Sequence, residues 1–129
     1  KHFDDELDGR QEVADWYSRA FSEDNRIVTP TILDHNSSTW AQYTIRVPNR
    51  PVVQAALGDR GIPTAVHYPI PLHKQDAFAS YPQNSIEMPK TEKACEEVMS
   101  LPMHPFMTRE DVMAVAETIK ITVSKSANA

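Results

Sequence analysis

The residues of this chain best equipped for chemistry crowd into one stretch, Gly61-Ile62-Pro63-Thr64-Ala65-Val66-His67-Tyr68-Pro69-Ile70-Pro71-Leu72-His73. Ile62 to Val66 reads as a short strand, with Pro63 confining it to an edge or a first position. That strand would deliver His67 and Tyr68 at its end. Pro69 and Pro71 then stiffen the backbone and bar regular structure over residues 67 to 73. An imidazole donates or accepts a hydrogen bond near neutral pH, and a phenol joins a hydroxyl to a flat apolar face. Together they suit recognition of a polar ligand such as a sugar or a phosphate. Spacing alone leaves a second use open, a hydrogen-bonded histidine and a packed tyrosine with no ligand, because both types are routinely part-buried. The aromatic before Pro69 also marks the Tyr68–Pro69 bond as one to inspect for cis geometry.

Other chemistries have less to work with. The five histidines, His2, His35, His67, His73 and His104, form no HExxH pattern, and no carboxylate closely flanks His67 or His73, so no metal site is expected. Cys95 is the only cysteine. It excludes an internal disulfide framework and a multi-cysteine zinc site, and its spacing with Ala94, Val98 and Met99 makes it a small core residue. Gly9, Gly58 and Gly61 are the only glycines, too few and too scattered for a phosphate-binding loop. No residue is singled out as catalytic.

The elements that must position the His-Tyr stretch belong to a chain of 129 residues, 40% hydrophobic and 24% charged, which fits one globular domain or a piece of a larger one. No apolar run approaches the roughly 20 residues needed to span a bilayer. No signal peptide is visible, and with a lone cysteine the simplest location is the reducing cytoplasm. Residues 1–24 hold three basic against eight acidic side chains, which is the whole net charge of −5. An acidic first element with a neutral body argues against nucleic-acid binding. It reads as a solvated helix face with carboxylates at the positive end of the helix dipole.

Phe3, Leu7, Ala14, Tyr17 and Phe21 form one stripe of an amphipathic helix over residues 2–22. Lys1 and His2 make poor caps, so the chain is expected to open partway through a helix. Ile27 to Thr29 reads as a short strand before Pro30. Residues 39–47 alternate clearly, with Thr39, Ala41, Tyr43, Ile45 and Val47 on one face and Trp40 on the other. Asn49 can cap a helix that buries Val52, Val53, Ala56 and Leu57, and Gly61 sits where a left-handed C-cap belongs. A short helix is expected over 75–80 and another over 90–99, with Ala94, Cys95, Val98 and Met99 inward. Leu101 to Pro105 is a rigid extended segment. Thr108 with Asp111 begins a last helix through a capping box, whose stripe is Val112, Val115, Ala116 and Ile119. Residues 1–121 form the expected domain and 122–129 a flexible tail, frayed from Ser124 onward. The pattern predicts an α+β fold, a small, mostly antiparallel sheet with helices on one face.

The stretch Gly61 to His73, the segment Leu101-Pro102-Met103-His104-Pro105, the strand Trp40 to Val47, and Phe3-Asp4-Asp5-Glu6-Leu7 leading into Arg10-Gln11 together resemble the C-terminal domain of the DegT–DnrJ–StrS family of pyridoxal-phosphate-dependent sugar aminotransferases. The wording is most similar to members acting on UDP-linked 3-oxo-glucuronic acid derivatives for surface polysaccharide synthesis. The resemblance spans about residues 1 to 121 and implies the small domain of a fold-type I aminotransferase. It implies that His67 and Tyr68, with His73 as a lesser candidate, contact a UDP-sugar at the mouth of an active site, and that Leu101 to Pro105 serves packing. It also implies an absent large domain that carries the Schiff-base lysine in a serine-aromatic-x-x-x-lysine setting. Lys1, Lys74, Lys90, Lys93, Lys120 and Lys125 have no such setting. The chain alone is therefore expected to bind no pyridoxal phosphate, to be inactive in transamination, and to form a homodimer because its apolar faces need a cover.

Overall fold

The computed structural model describes residues 2–81 and 86–126. Its elements are α1 (Phe3–Phe21), β1 (Tyr43–Arg46), α2 (Arg50–Gly58), α3 (Pro89–Glu97), β2 (Val98–Leu101) and α4 (Arg109–Ser126), with single 3-10 turns at Leu72–Lys74 and Asp76–Phe78. β1 and β2 pair antiparallel, Tyr43 opposite Leu101 and Ile45 opposite Met99. All four are buried in one core with Val13, Ala14, Tyr17 and Phe21 of α1, Val53 and Leu57 of α2, and Val112, Val115, Ala116 and Ile119 of α4. The architecture is α+β, a small antiparallel sheet whose apolar face is covered by helices.

α1 follows the predicted stripe only in its second half. Ala14, Tyr17 and Phe21 are buried, whereas Phe3 stands 68% exposed. His2 precedes the helix without a side-chain cap bond. The Tyr17 hydroxyl donates to the Pro102 carbonyl at 3.0 Å, and Tyr17 stacks on Tyr43 with ring centroids 5.0 Å apart. Leu101 to Pro105 does pack: Leu101 is buried, and an added Cβ on Gly9 would lie 2.8 Å from the Pro105 carbonyl. Only a glycine lets α1 come so close to that backbone.

Several expectations are corrected. The alternating strand shrinks to Tyr43–Arg46 because Trp40 takes a left-handed turn, φ 48°, that brings its indole inward. The indole Nε1–H donates to Gln11 Oε1 at 2.8 Å, and the Trp40 carbonyl accepts from Arg10. The helix expected over 90–99 ends at Glu97, and Val98–Leu101 becomes the second strand, so Met99 is buried from the sheet. Ile27–Thr29 and Ile62–Val66 contribute only single bridges, Val28 to Arg46 and Ala65 to Ser100. The helix expected over 75–80 is one 3-10 turn, and another such turn falls at Leu72–Lys74 within the stretch expected to be irregular. Val52 is exposed, and Asn49 sits at the N-cap in a left-handed conformation without a side-chain bond. α4 runs through Ser126 with Val123 buried, so residues 122–126 are helix rather than tail, and 127–129 lie outside the described residues.

Two caps match their sequence signals. Asp111 Oδ2 accepts from the Thr108 N–H and hydroxyl at 3.0 and 2.8 Å, while the Asp111 N–H donates to Thr108 Oγ1 at 3.2 Å. Gly61, φ 71°, closes α2: the Ile62 N–H reaches the Leu57 carbonyl and the Gly61 N–H the Gly58 carbonyl, the paired bonds of a Schellman turn.

Candidate functional site

The turn at Gly61 sends the chain back along β2. There Ala65 and Ser100 exchange both backbone hydrogen bonds, at 2.8 and 3.2 Å, and the Gln54 amide donates to Thr64 Oγ1 at 3.0 Å. This pins the upstream arm of a hook to the sheet edge. Beyond it His67 and Tyr68 emerge side by side, His67 exposed and Tyr68 with 70% of its surface free. Their rings meet edge to face at 5.8 Å. The cis bond in the hook joins His67 to Tyr68, one residue before the bond singled out from sequence. Of the two uses left open by spacing, burial among packed neighbours does not describe these rings.

His73 lies apart from the pair in environment. Its ring is only 8% exposed and its Nε2 sits 3.0 Å from Glu92 Oε1. A carboxylate only accepts, so the imidazole donates. The same oxygen accepts from the Met88 N–H at 3.1 Å and lies 3.4 Å from Lys74 Nζ. The His73 hydrogen bond, first among these, holds the Glu92 carboxyl down to about 2. The sequence expectation grouped His73 with His67 and Tyr68. The structure brings the latter two together at the tip and puts His73 at the base, in the Leu72–Lys74 turn and against Glu92 of α3. Glu92 was missed because it stands 19 positions from His73 with no local spacing to announce the pair.

The described lysines do not fit a pyridoxal-phosphate anchor. Lys74, Lys90, Lys93 and Lys125 are exposed, Lys74 and Lys93 lie in ion pairs with Glu92 and Glu97, and Lys120 donates to the Ala20 carbonyl. An anchor must offer an amine inside an enclosed site. What the hook offers is a donor and acceptor imidazole beside an aromatic face, held outward on a braced backbone. No described helix is long and apolar enough to cross a membrane.

A family model described as the DegT/DnrJ/EryC1/StrS aminotransferase family matches residues 1–120. The chain is 43% identical over 117 residues to the UDP-2-acetamido-2-deoxy-3-oxo-D-glucuronate aminotransferase of Pseudomonas aeruginosa, covering 91% of this chain and 32% of that protein. It is 36% identical over 118 residues to the dTDP-3-amino-3,6-dideoxy-alpha-D-galactopyranose transaminase of Aneurinibacillus thermoaerophilus, covering 92% and 32%. Among solved structures, a DegT DnrJ EryC1 StrS aminotransferase from Brucella abortus superposes with a TM-score of 0.80 at 32% identity, over 92% of this chain and 31% of that one. The chain thus spans about a third of the length of the relatives it matches.

Proposed function

Because the chain belongs to the DegT/DnrJ/EryC1/StrS aminotransferase family, known for pyridoxal-phosphate-dependent chemistry, we propose that it is the small domain of a nucleotide-sugar aminotransferase. The reaction of the whole enzyme would move an amino group from an amino acid, glutamate by family likeness, to a UDP-linked keto sugar in surface polysaccharide synthesis, in the cytoplasm. The observation that carries this reading is the exposed His67–Tyr68 pair on a hook anchored at both ends. The imidazole hydrogen-bonds a hydroxyl or phosphate oxygen, and the phenol ring covers an apolar face of the sugar or base. The cofactor supplies the electron sink when bound by the large domain. This chain's part is to bind and orient the sugar nucleotide.

Titration of UDP-N-acetylglucosamine into the chain tests the pair. Saturable binding that His67→Ala abolishes and Tyr68→Ala weakens is expected. No saturable binding removes the ligand role. Transaminase turnover by the chain alone would sink the claim that it is catalytically incomplete. A second reading, a self-associating domain without enzyme activity, is favoured by Tyr68, Ile70, Leu72 and Tyr81, all more than half exposed within one segment. Exposed apolar surface of this kind drives association.

A further inference from the structure

We propose that Glu92 is a positioning residue for the hook, holding His67 and Tyr68 in place through His73. The inference rests on the reading above that the two rings meet a sugar nucleotide. α3 and β2 are consecutive, joined at Glu97 and Val98, and each is bonded to one arm of the hook. β2 fastens the upstream arm through Ser100 and Ala65. α3 fastens the downstream arm through Glu92, whose Oε1 gathers His73 Nε2, the Met88 N–H and Lys74 Nζ within 3.0 to 3.4 Å. Between the two anchorages, Val66 to Leu72 has His67, Tyr68, Pro69, Ile70 and Leu72 exposed and thus little packing of its own.

A loop held at one end alone samples many geometries, and each disordered arrangement reduces the fraction able to receive a ligand. The His73 ring is sequestered from water, so its hydrogen bond to Glu92 has weak competition from solvent. The carboxyl's low affinity for protons keeps the acceptor charged throughout the neutral range. Glu92 lies behind the hook, at its base. Its effect on binding passes through His73 and the backbone, without a ligand contact.

Hydrogen–deuterium exchange on the chain and on Glu92→Ala, Glu92→Gln and His73→Ala tests this. In Glu92→Ala and His73→Ala, peptides spanning residues 66–74 should exchange several-fold faster while α1 and α4 keep their protection. Glu92→Gln retains an accepting carbonyl oxygen and should restore most of it. The Kd for UDP-N-acetylglucosamine should rise several-fold in Glu92→Ala with an unchanged melting temperature, and fall back in Glu92→Gln. Unaltered exchange at 66–74 in Glu92→Ala, or acceleration shared by α1 and α4, overturns the proposal. Wild-type chain that binds no UDP-N-acetylglucosamine counts against the nucleotide-sugar reading, while the exchange comparison still decides whether Glu92 fastens the hook.

Discussion

Tyr17 and Tyr43 are both buried, and burial is the first cause that pushes each phenol above its ordinary range; for Tyr17 the nearby Tyr43 and Asp111 add to it. A phenol that stays neutral when folded but ionises when unfolded lowers stability as pH rises past the unfolded value, near 10. Thermal melts should therefore hold steady up to about pH 10 and decline above it, with a shallower decline in Tyr17→Phe. At neutral pH the same variant should lose about 1 kcal/mol with its hydrogen bond to Pro102. Glu92 runs in the opposite sense. Its carboxyl is depressed by the His73 bond, so its hold on the downstream arm of the hook, a local effect that leaves the global melt unchanged, is intact above the ordinary value of 4.5 and disappears as pH falls toward about 2. Protection of the Tyr68 and His67 amides, taken relative to the intrinsic exchange rate at each pH, should fall over that acid window in the wild type, and Glu92→Gln, with no carboxyl to titrate, should flatten the response. Asp111, lowered first by the Thr108 N–H, titrates in the same direction at the start of α4.

Among the elements, α4 depends on a reciprocal cap. Thr108→Ala should cost about 1 kcal/mol in chemical denaturation. Because Thr108 and Asp111 share the same bonds, adding Asp111→Ala should cost less than the separate sum. Gly61→Ala forces a side chain into the left-handed region and should also cost about 1 kcal/mol. These features were legible because each is a local rule: a Thr-x-x-Asp pair, a glycine after an apolar repeat, a stripe at Val112, Val115, Ala116 and Ile119. The sheet was less legible. Val98 to Leu101 carries apolar residues at positions that continue the α3 stripe, and only its pairing with Tyr43–Arg46 from far along the chain makes it a strand. Trp40 broke an apparent alternation because its partner, Gln11, lies on another element. In the candidate site, the composition around His67 and Tyr68 was readable. The separate roles of Tyr68 and His73 were not, since the His73 bond to Glu92 joins residues 19 positions apart.

For the molecule as a whole, a chain about a third the length of its relatives leaves sizeable apolar side chains uncovered at more than one place. Phe3 and Phe106 are 68% and 79% exposed, and Tyr68 and Leu72 are 70% and 65% exposed. Sedimentation should show a concentration-dependent shift from monomer to dimer. A single species unchanged across a hundred-fold concentration range would contradict self-association. Tyr68→Ser with Leu72→Ser should weaken the dimer if the hook face is the contact, and Phe3→Ser with Phe106→Ser should do so if the α1 tip is.

The last turn of α4 also fixes where this polypeptide can be shortened. Val123 fills the interior at 1% exposure, and Ser124 accepts from the Arg26 guanidinium at 3.0 Å across 98 positions of sequence. Trimming after residue 121 would open a void and release the strap that ties the segment following the first helix to the final one, so a minimal version for crystallisation or spectroscopy has to retain the chain through Ser126.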